Sequence, residues 1–213
     1  PELPGGEAFA KFLIEKGIIP SIGHSDATYA DVKKVYDLGC RAFTHLYSGM
    51  STITRDNGFR RLGVIESAYL LDDVHAEIIA DGCHLPPELI RLIVKIKGAD
   101  RVAAVTDSLY PAGTDIKEGI TDGVAFIVED GVCRLPDRSA FAGSIATADR
   151  LLQVLHRDCG FSLPEAVKML TAVPARIMGL EAGKIEAGLL ADIVVLEEAL
   201  TARHVFVGGE KVL

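Results

Sequence analysis

The sequence has no C-x-x-C pair, no apolar run long enough to span a bilayer and no basic stripe. Each absence narrows the field. Its four cysteines, Cys40, Cys83, Cys133 and Cys159, are scattered through 213 residues, unlike the framework of a short secreted domain. They read as reduced, mostly buried thiols of a cytoplasmic protein. Cys83, one residue before His84, is the weaker candidate for a metal ligand, because adjacent strand residues face opposite sides. The lack of a long apolar run argues against a membrane-spanning helix. No signal-peptide pattern stands at the N-terminus, and a start at Pro1-Glu2-Leu3-Pro4 without an initiator Met fits a piece of a longer protein. Lys and Arg number 22 against 30 Asp and Glu, a net charge of −8. That balance argues against nucleic acid as a partner. It also means that an anionic substrate must be held by local donors rather than by the global field.

What is present is ordinary for a globular chain: 49% hydrophobic and 24% charged residues. The length suits one large domain, or one domain with a small appendage. Phe9, Phe12, Leu13 and Lys16 have helical spacing, with Gly17 at the C-cap position. A short buried strand is predicted at Ser21-Ile22-Gly23. Tyr29, Val32, Val35 and Leu38 mark a second helix between Thr28 as N-cap and Gly39 as C-cap. Further strands are predicted at Arg41–Thr44, Val74–Ala80 and Arg101–Thr106, and further helices at Leu62–Leu71 and from Pro86-Pro87 to Gly98. Ser48 to Arg61 reads as a long polar loop. Helix, glycine and strand in recurrence argue for a parallel sheet with helices outside it.

The second half reads differently. Val124–Val128 and Val132–Leu135 form a hairpin turning at Asp130-Gly131. Ala148–His156, Leu163–Leu170 with Ser162 as its cap, and Pro174–Met178 read as helices. Ala191–Leu196 and a last hairpin around Gly208-Gly209 are strands, too few for a sheet of their own.

Chemistry appears at the strand ends. Ser21-Ile22-Gly23 runs into His24, Ala42-Phe43-Thr44 into His45, Ile78-Ile79-Ala80 into Asp81-Gly82-Cys83-His84, and Ala103-Ala104-Val105-Thr106 into Asp107. In a parallel α/β barrel such ends open on one mouth. Two histidines and a carboxylate there are the ligands and base of a hydrolytic zinc site. Each residue alone has a plainer reading: a hydrogen-bonded His after a strand, Asp107 as a cap, His84 as a cap of the Pro86 helix. Four of them at four successive strand ends favour the site. His75 begins its strand and His156 lies on a helix without a partner, so both, with His204, read as structural or surface residues.

In order along the chain stand Gly23-His24-Ser25-Asp26-Ala27, Thr44-His45-Leu46-Tyr47-Ser48-Gly49-Met50, Ile79-Ala80-Asp81-Gly82-Cys83-His84 and Val105-Thr106-Asp107. The set resembles the N-acetylglucosamine-6-phosphate deacetylases of the amidohydrolase superfamily, over essentially the whole chain. Ala140 to Ser144, with Phe141, Ala142 and Gly143, resembles that family's substrate-covering loop. Gly183-Lys184-Ile185 to Gly188, and Ala191 to Leu196, resemble the superfamily's C-terminal segment, which returns to a small β-sandwich.

The resemblance implies an α/β fold: the C-terminal half of a TIM-like (β/α)8 metal-dependent hydrolase barrel, with strands of a small β-sandwich domain. Residues 1–118 would be barrel strands 5 to 8, 119–137 a hairpin insertion, 138–180 a closing loop and barrel helices, and 181–213 the sandwich strands. It implies His24 and His45 as ligands of a divalent metal, with zinc the expectation, and Asp107 as the catalytic carboxylate. His84 would bind the substrate and orient its amide. Arg55 matches, at a one-residue shift, an arginine that contacts a sugar phosphate. Ser48 and Gly49 stand where the family typically has Asn-Ala against the same phosphate. The implied reaction converts N-acetylglucosamine 6-phosphate to glucosamine 6-phosphate and acetate, in a cytoplasmic enzyme that is a homodimer when intact. Such enzymes draw a metal-ligand glutamate from a strand upstream of this stretch, so four strands alone are expected to be an incomplete catalyst. Two alternatives stay open: a structural fragment that binds no metal, and a related hydrolase acting on another amide.

Overall fold

Helices and short strands alternate along the first half of the chain, as the repeated pattern of amphipathic stretch, glycine and apolar stretch dictates. The structure is a computed structural model describing residues 1–213. It divides into two units, one of Pro1–Ile78 with Val94–Ala103, the other of Ile79–Ile93 with Ala104–Leu213.

The order from the N-terminus is α1 (Gly6–Glu15), β1 (Ser21–Ile22), α2 (Tyr29–Leu38), β2 (Ala42–Phe43), β3 (Thr54–Asp56), β4 (Phe59–Arg61), α3 (Val64–Leu70), β5 (His75–Ile79), α4 (Pro87–Lys97) and β6 (Val102–Val105). A capping box opens α2: the Thr28 backbone N–H donates to the Asp31 carboxylate at 3.2 Å and the Thr28 hydroxyl at 2.8 Å. Gly39, at φ 120°, ends the helix. Val32 and Val35 are its buried stripe. The sheet runs β1–β2–β5–β6, with β1 parallel to β2 and β2 parallel to β5. Register pairs Ser21 with Ala42, and Ala42 with His75.

Phe43, Leu46, Val64, Val74, Ala76 and Ile78 are buried around these strands. A polar anchor closes the end of the first unit where β2 and β5 begin. Asp73 accepts from the Tyr36 hydroxyl at 2.7 Å and from Arg41 Nε at 2.8 Å, and the Arg41 guanidinium lies 4.0 Å from the centre of the Tyr36 ring. The Tyr36 hydroxyl, against some burial and with help from Arg41, holds the Asp73 carboxyl below its ordinary range. The stretch read as a polar loop contains the two-stranded hairpin of β3 and β4, which turns at Asn57-Gly58. Both turn residues have positive φ, 48° and 87°, as a two-residue hairpin turn of the primed type requires.

The second unit continues with β7 (Glu118–Thr121), β8 (Val124–Glu129), β9 (Val132–Arg134), β10 (Phe141–Ser144), α5 (Ala148–Gln153), a π-helical turn (Val154–Asp158), α6 (Leu163–Leu170), α7 (Ala172–Ile177), β11 (Ile193–Leu196), β12 (Ala202–Val207) and β13 (Glu210–Lys211). The hairpin at Asp130-Gly131 is present, and the sheet is larger than expected. It is an antiparallel sheet in the order β10–β9–β8–β7. The segment read as a covering loop is therefore strand β10, bulged between Phe141 and Gly143. Ser162 caps α6 in a box with Glu165. His156 Nδ1 binds the Phe161 carbonyl at 2.8 Å, so this histidine closes the turn after the π-helix. The terminal strands do form a sheet of their own, β11–β12–β13, contrary to the expectation that they were too few. Val194, Val195 and Val207 stay exposed on it. All four cysteines are free. No helix is long and apolar enough to cross a membrane.

Phe43 is 1% exposed and Phe59 is 76% exposed. Phe43→Ala should lower unfolding free energy by about 3–5 kcal/mol through the lost transfer term and the cavity left behind. Phe59→Ala should stay within about 0.5 kcal/mol. Urea titration of the two variants checks both; similar midpoints would place the core of the first unit elsewhere.

Candidate active site

In the first unit, β1 is so short that Gly23 and His24 follow at once. A Cβ on Gly23 would meet the Cβ of Thr44 at 2.8 Å, so only glycine lets the ends of β1 and β2 approach this closely. His24 and His45 then leave the extended region abruptly, at φ 44° and 30°. A left-handed backbone in a residue with a side chain stores about 1–3 kcal/mol, which the surrounding structure must hold. The result brings the two predicted ligands together. Their ring centroids are 4.7 Å apart with an edge-on angle of 84°. Imidazoles that share one zinc at about 2.0–2.1 Å from each nitrogen have centroids roughly 5 Å apart. His45 is buried, and its Nδ1 has no hydrogen-bond partner. An unmet nitrogen of that kind costs about 1–3 kcal/mol unless something else satisfies it. The pair thus fits two positions of a metal site. No group of three or more His, Cys, Asp or Glu residues that could hold a metal comes together.

The loop after His45 is tied down. The Ser48 amide donates to the His45 carbonyl at 3.0 Å, and Tyr47, at φ 82°, has its hydroxyl 3.0 Å from that of Tyr69. Met50 bridges Ser25, and the Ser51 amide donates to the Ser25 carbonyl at 2.9 Å. The Ser51 hydroxyl donates to the Ala27 carbonyl at 2.7 Å and accepts from the Val64 amide at 3.0 Å. Ser48 and Gly49 therefore lie on the same pinned segment as His45. Arg55 is exposed on β3, directly opposite Arg60 on β4, while Arg61 is paired with Asp56 at 3.0 Å. Two guanidinium groups in register repel one another unless an anion lies between them. Sequence reasoning missed Arg60 because it missed the hairpin, whose signal was Asn57-Gly58.

In the second unit, Asp81 to His84 is a turn rather than a strand, with Gly82 at φ 83°. The argument against Cys83 from strand alternation therefore does not apply, but its thiol is already engaged, donating to the Asp130 carbonyl at 3.6 Å. Asp81, 3% exposed, accepts from the amides of Cys83 and His84 at 2.8 Å each and from His84 Nδ1 at 2.7 Å. Burial pushes the Asp81 carboxyl up, but the His84 ring and the two amides more than reverse this and hold it below the ordinary range. His84 thus carries its proton on Nδ1 and presents Nε2, rather than capping α4. Its ring lies 5.1 Å from that of Phe141, and Phe141 also lies 5.3 Å from the Arg134 guanidinium. Sequence reasoning passed over this pairing of Asp81 with His84; its signal was an acid three residues before a histidine across a glycine. Asp107 is exposed and left-handed, at φ 47°. The residues after it are held by a bridge from Ser108 to Ser144 and by the Leu109 amide donating to the Ser144 carbonyl at 2.9 Å. Ala142 and Gly143 share that strand, and a Cβ on Gly143 would meet the Leu109 side chain at 2.8 Å.

The model of the amidohydrolase family matches residues 10–212. The chain belongs to the amidohydrolase family. This amidohydrolase is 32% identical over 98% of its length to N-acetylglucosamine-6-phosphate deacetylase of Lysinibacillus sphaericus, covering 53% of that protein. It is also 32% identical over 94% of its length to N-acetylgalactosamine-6-phosphate deacetylase of Shewanella sp. strain ANA-3, covering 50% of it. A mutant N-acetyl-D-glucosamine-6-phosphate deacetylase of Mycobacterium smegmatis, solved with N-acetyl-D-glucosamine-6-phosphate, superposes with a TM-score of 0.92 at 30% identity. The superposition covers 100% of this chain and 56% of that one. The amidohydrolase chain spans about half the length of these relatives, and its α/β fold is the C-terminal half of a TIM-like barrel with strands of the small sandwich domain.

Because the folded pKa of Asp81 is depressed, its contribution to stability is present above the ordinary carboxylate range. It is lost as pH falls through the lower folded value. Asp81→Asn should lower the melting temperature at pH 7 and flatten the fall in melting temperature between about pH 5 and pH 3. Melting curves across that range check this; an unchanged acid slope would mean that the Asp81 carboxylate is not held as described.

Proposed function

We propose that the intact protein hydrolyses the N-acetyl amide of N-acetylglucosamine 6-phosphate to glucosamine 6-phosphate and acetate. The observation that carries this reading is the His24–His45 pair, two imidazoles on left-handed residues with ring centroids 4.7 Å apart and one buried nitrogen unmet. Relatives that deacetylate amino-sugar 6-phosphates support it. A divalent metal, zinc by the nitrogen donors, would be held by His24 and His45 and would supply carbonyl polarisation and an acidified water. Asp107 accepts the proton of the attacking water and returns it to the departing nitrogen, so one carboxylate serves as base and then acid. His84, held at Nδ1 by the Asp81 carboxylate, orients the amide through Nε2. Phe141, Ala142 and Gly143 cover the sugar. Arg55, with Arg60 opposite, takes the phosphate, alongside Ser48 and Gly49. A planar guanidinium fork suits phosphate, and these local donors answer the net charge of −8. Four free cysteines suit a cytoplasmic enzyme, and a homodimer is the assembly that goes with this reading.

The full-length protein should release acetate from N-acetylglucosamine 6-phosphate faster than from its galactosamine epimer, and far faster than from unphosphorylated N-acetylglucosamine. Preference for the epimer would correct the sugar; activity on none would end the reading. Asp107→Asn should keep the metal and lower kcat about 10²–10⁴-fold, and near-normal turnover would remove Asp107 from the mechanism. Arg55→Ala should raise KM about 10–100-fold for the phosphorylated sugar only; an equal rise for both sugars would refute the phosphate contact.

A further inference from the structure

We propose that Glu2 is a positioning residue for the metal site, clamping the turn that aims His24. The proposal rests on the reading of His24 as a ligand. The His24 ring meets the edge of His45 but makes no hydrogen bond. Its direction is therefore set by the backbone on either side, which turns at a left-handed φ of 44°. Before it, Gly23 is packed on Thr44. After it stand Ser25 and Asp26, and Glu2 grips both. One carboxylate oxygen accepts from the Ser25 hydroxyl at 2.7 Å, the other from the Asp26 amide at 2.8 Å. Ser25 is buried, and its hydroxyl also accepts from the Ala27 amide at 3.1 Å. The Ser25 carbonyl is held separately, by the Ser51 amide at 2.9 Å. Without Glu2, the strained turn at His24 would be fastened from the loop after β2 alone. Burial pushes the Glu2 carboxyl up, but the Ser25 hydroxyl, the Glu2 amide and the Asp26 amide hold it at about 2. The clamp thus stays ionised at neutral pH, and charge-assisted bonds of this kind are the strong ones. Both oxygens face donors, so Glu2 supports a ligand rather than serving as one.

Losing a clamp lowers stability whatever else it does, so anchoring and positioning must be told apart. Asp73 provides the control. Its carboxylate also gathers two donors in the first unit, the Tyr36 hydroxyl at 2.7 Å and Arg41 Nε at 2.8 Å, but where β2 and β5 begin. Asp73→Ala removes an anchor away from the histidines, whereas Glu2→Ala removes one at the turn that carries His24.

The test uses the full-length protein, with zinc affinity measured by chelator competition and ligand geometry read from the ligand-field bands of the cobalt-substituted form. Glu2→Ala should weaken zinc binding by about 10–100-fold and shift the cobalt bands. Asp73→Ala should lower the melting temperature and leave both unchanged. Glu2→Gln keeps the shape but has one accepting oxygen for two donors. It should fall between the parent and Glu2→Ala, and it carries the test if Glu2→Ala does not fold. Ser25→Ala removes one end of the clamp, so its loss and that of the position-2 variant should not multiply in the double variant. Unchanged affinity and bands in the variant that carries the test, or losses that multiply in full, would overturn the proposal. An equal loss of affinity from Asp73→Ala would reduce Glu2 to a general anchor and overturn it too. His24→Ala separates the two claims: if it abolishes binding while the position-2 variants bind normally, the ligand reading stands and the proposal falls. If His24→Ala binds zinc as the parent does, both fall.

Discussion

A strand of two to four residues that must hold the side chain just past its end in a fixed position cannot fade gradually into a loop. It turns at once, and the rest of the structure depends on that turn being held. His24, His45 and Asp107 each follow a short strand and each lies in the left-handed region, at φ 44°, 30° and 47°. None is a glycine, so each stores strain that its neighbours must over-determine. Strain of this kind distinguishes these candidate site positions from His75 and His156. His75 opens β5, and His156 is bound to the Phe161 carbonyl.

The restraint is polar and local. In the first unit, Ser25, Met50 and Ser51 knit the loops after β1 and β2 together, so the two imidazoles meet without a hydrogen bond between them. In the second unit the solution differs. Gly82 takes the positive φ, which frees Asp81 to fold its carboxylate back onto two amides and onto the His84 ring. A buried carboxylate with three donors stays ionised and fixes which nitrogen of His84 is presented. The glycines follow the same logic: Gly23 stands where Thr44 comes too close for a Cβ, whereas Gly98 needs only its conformational freedom.

Much of this was legible in the sequence because two periods coincide there. Helical spacing ended by glycine, followed by a short apolar run, located α2, α4, β1, β2, β5 and β6, and chemistry-bearing residues stood just past the strands. What escaped had other causes. Thr54–Asp56 and Phe59–Arg61 are fully exposed strands without an apolar face, so periodicity is silent and only Asn57-Gly58 speaks for the hairpin. Phe141–Ser144 was read as a loop only from its resemblance to a covering loop; Ala-Gly-Ser has low strand propensity, and pairing with β9 outweighs that local preference. The role of Asp81 was hidden because its carboxylate meets His84 only once Gly82 takes a positive φ and the chain folds back.

In the proposed function, His24 and His45 share one metal ion. Anomalous diffraction at the zinc edge, from crystals of the full-length protein, measures it directly. One strong peak should lie about 2.0–2.1 Å from a nitrogen of each ring. A peak bound to only one of these histidines, or strong zinc density elsewhere with none between them, would contradict it.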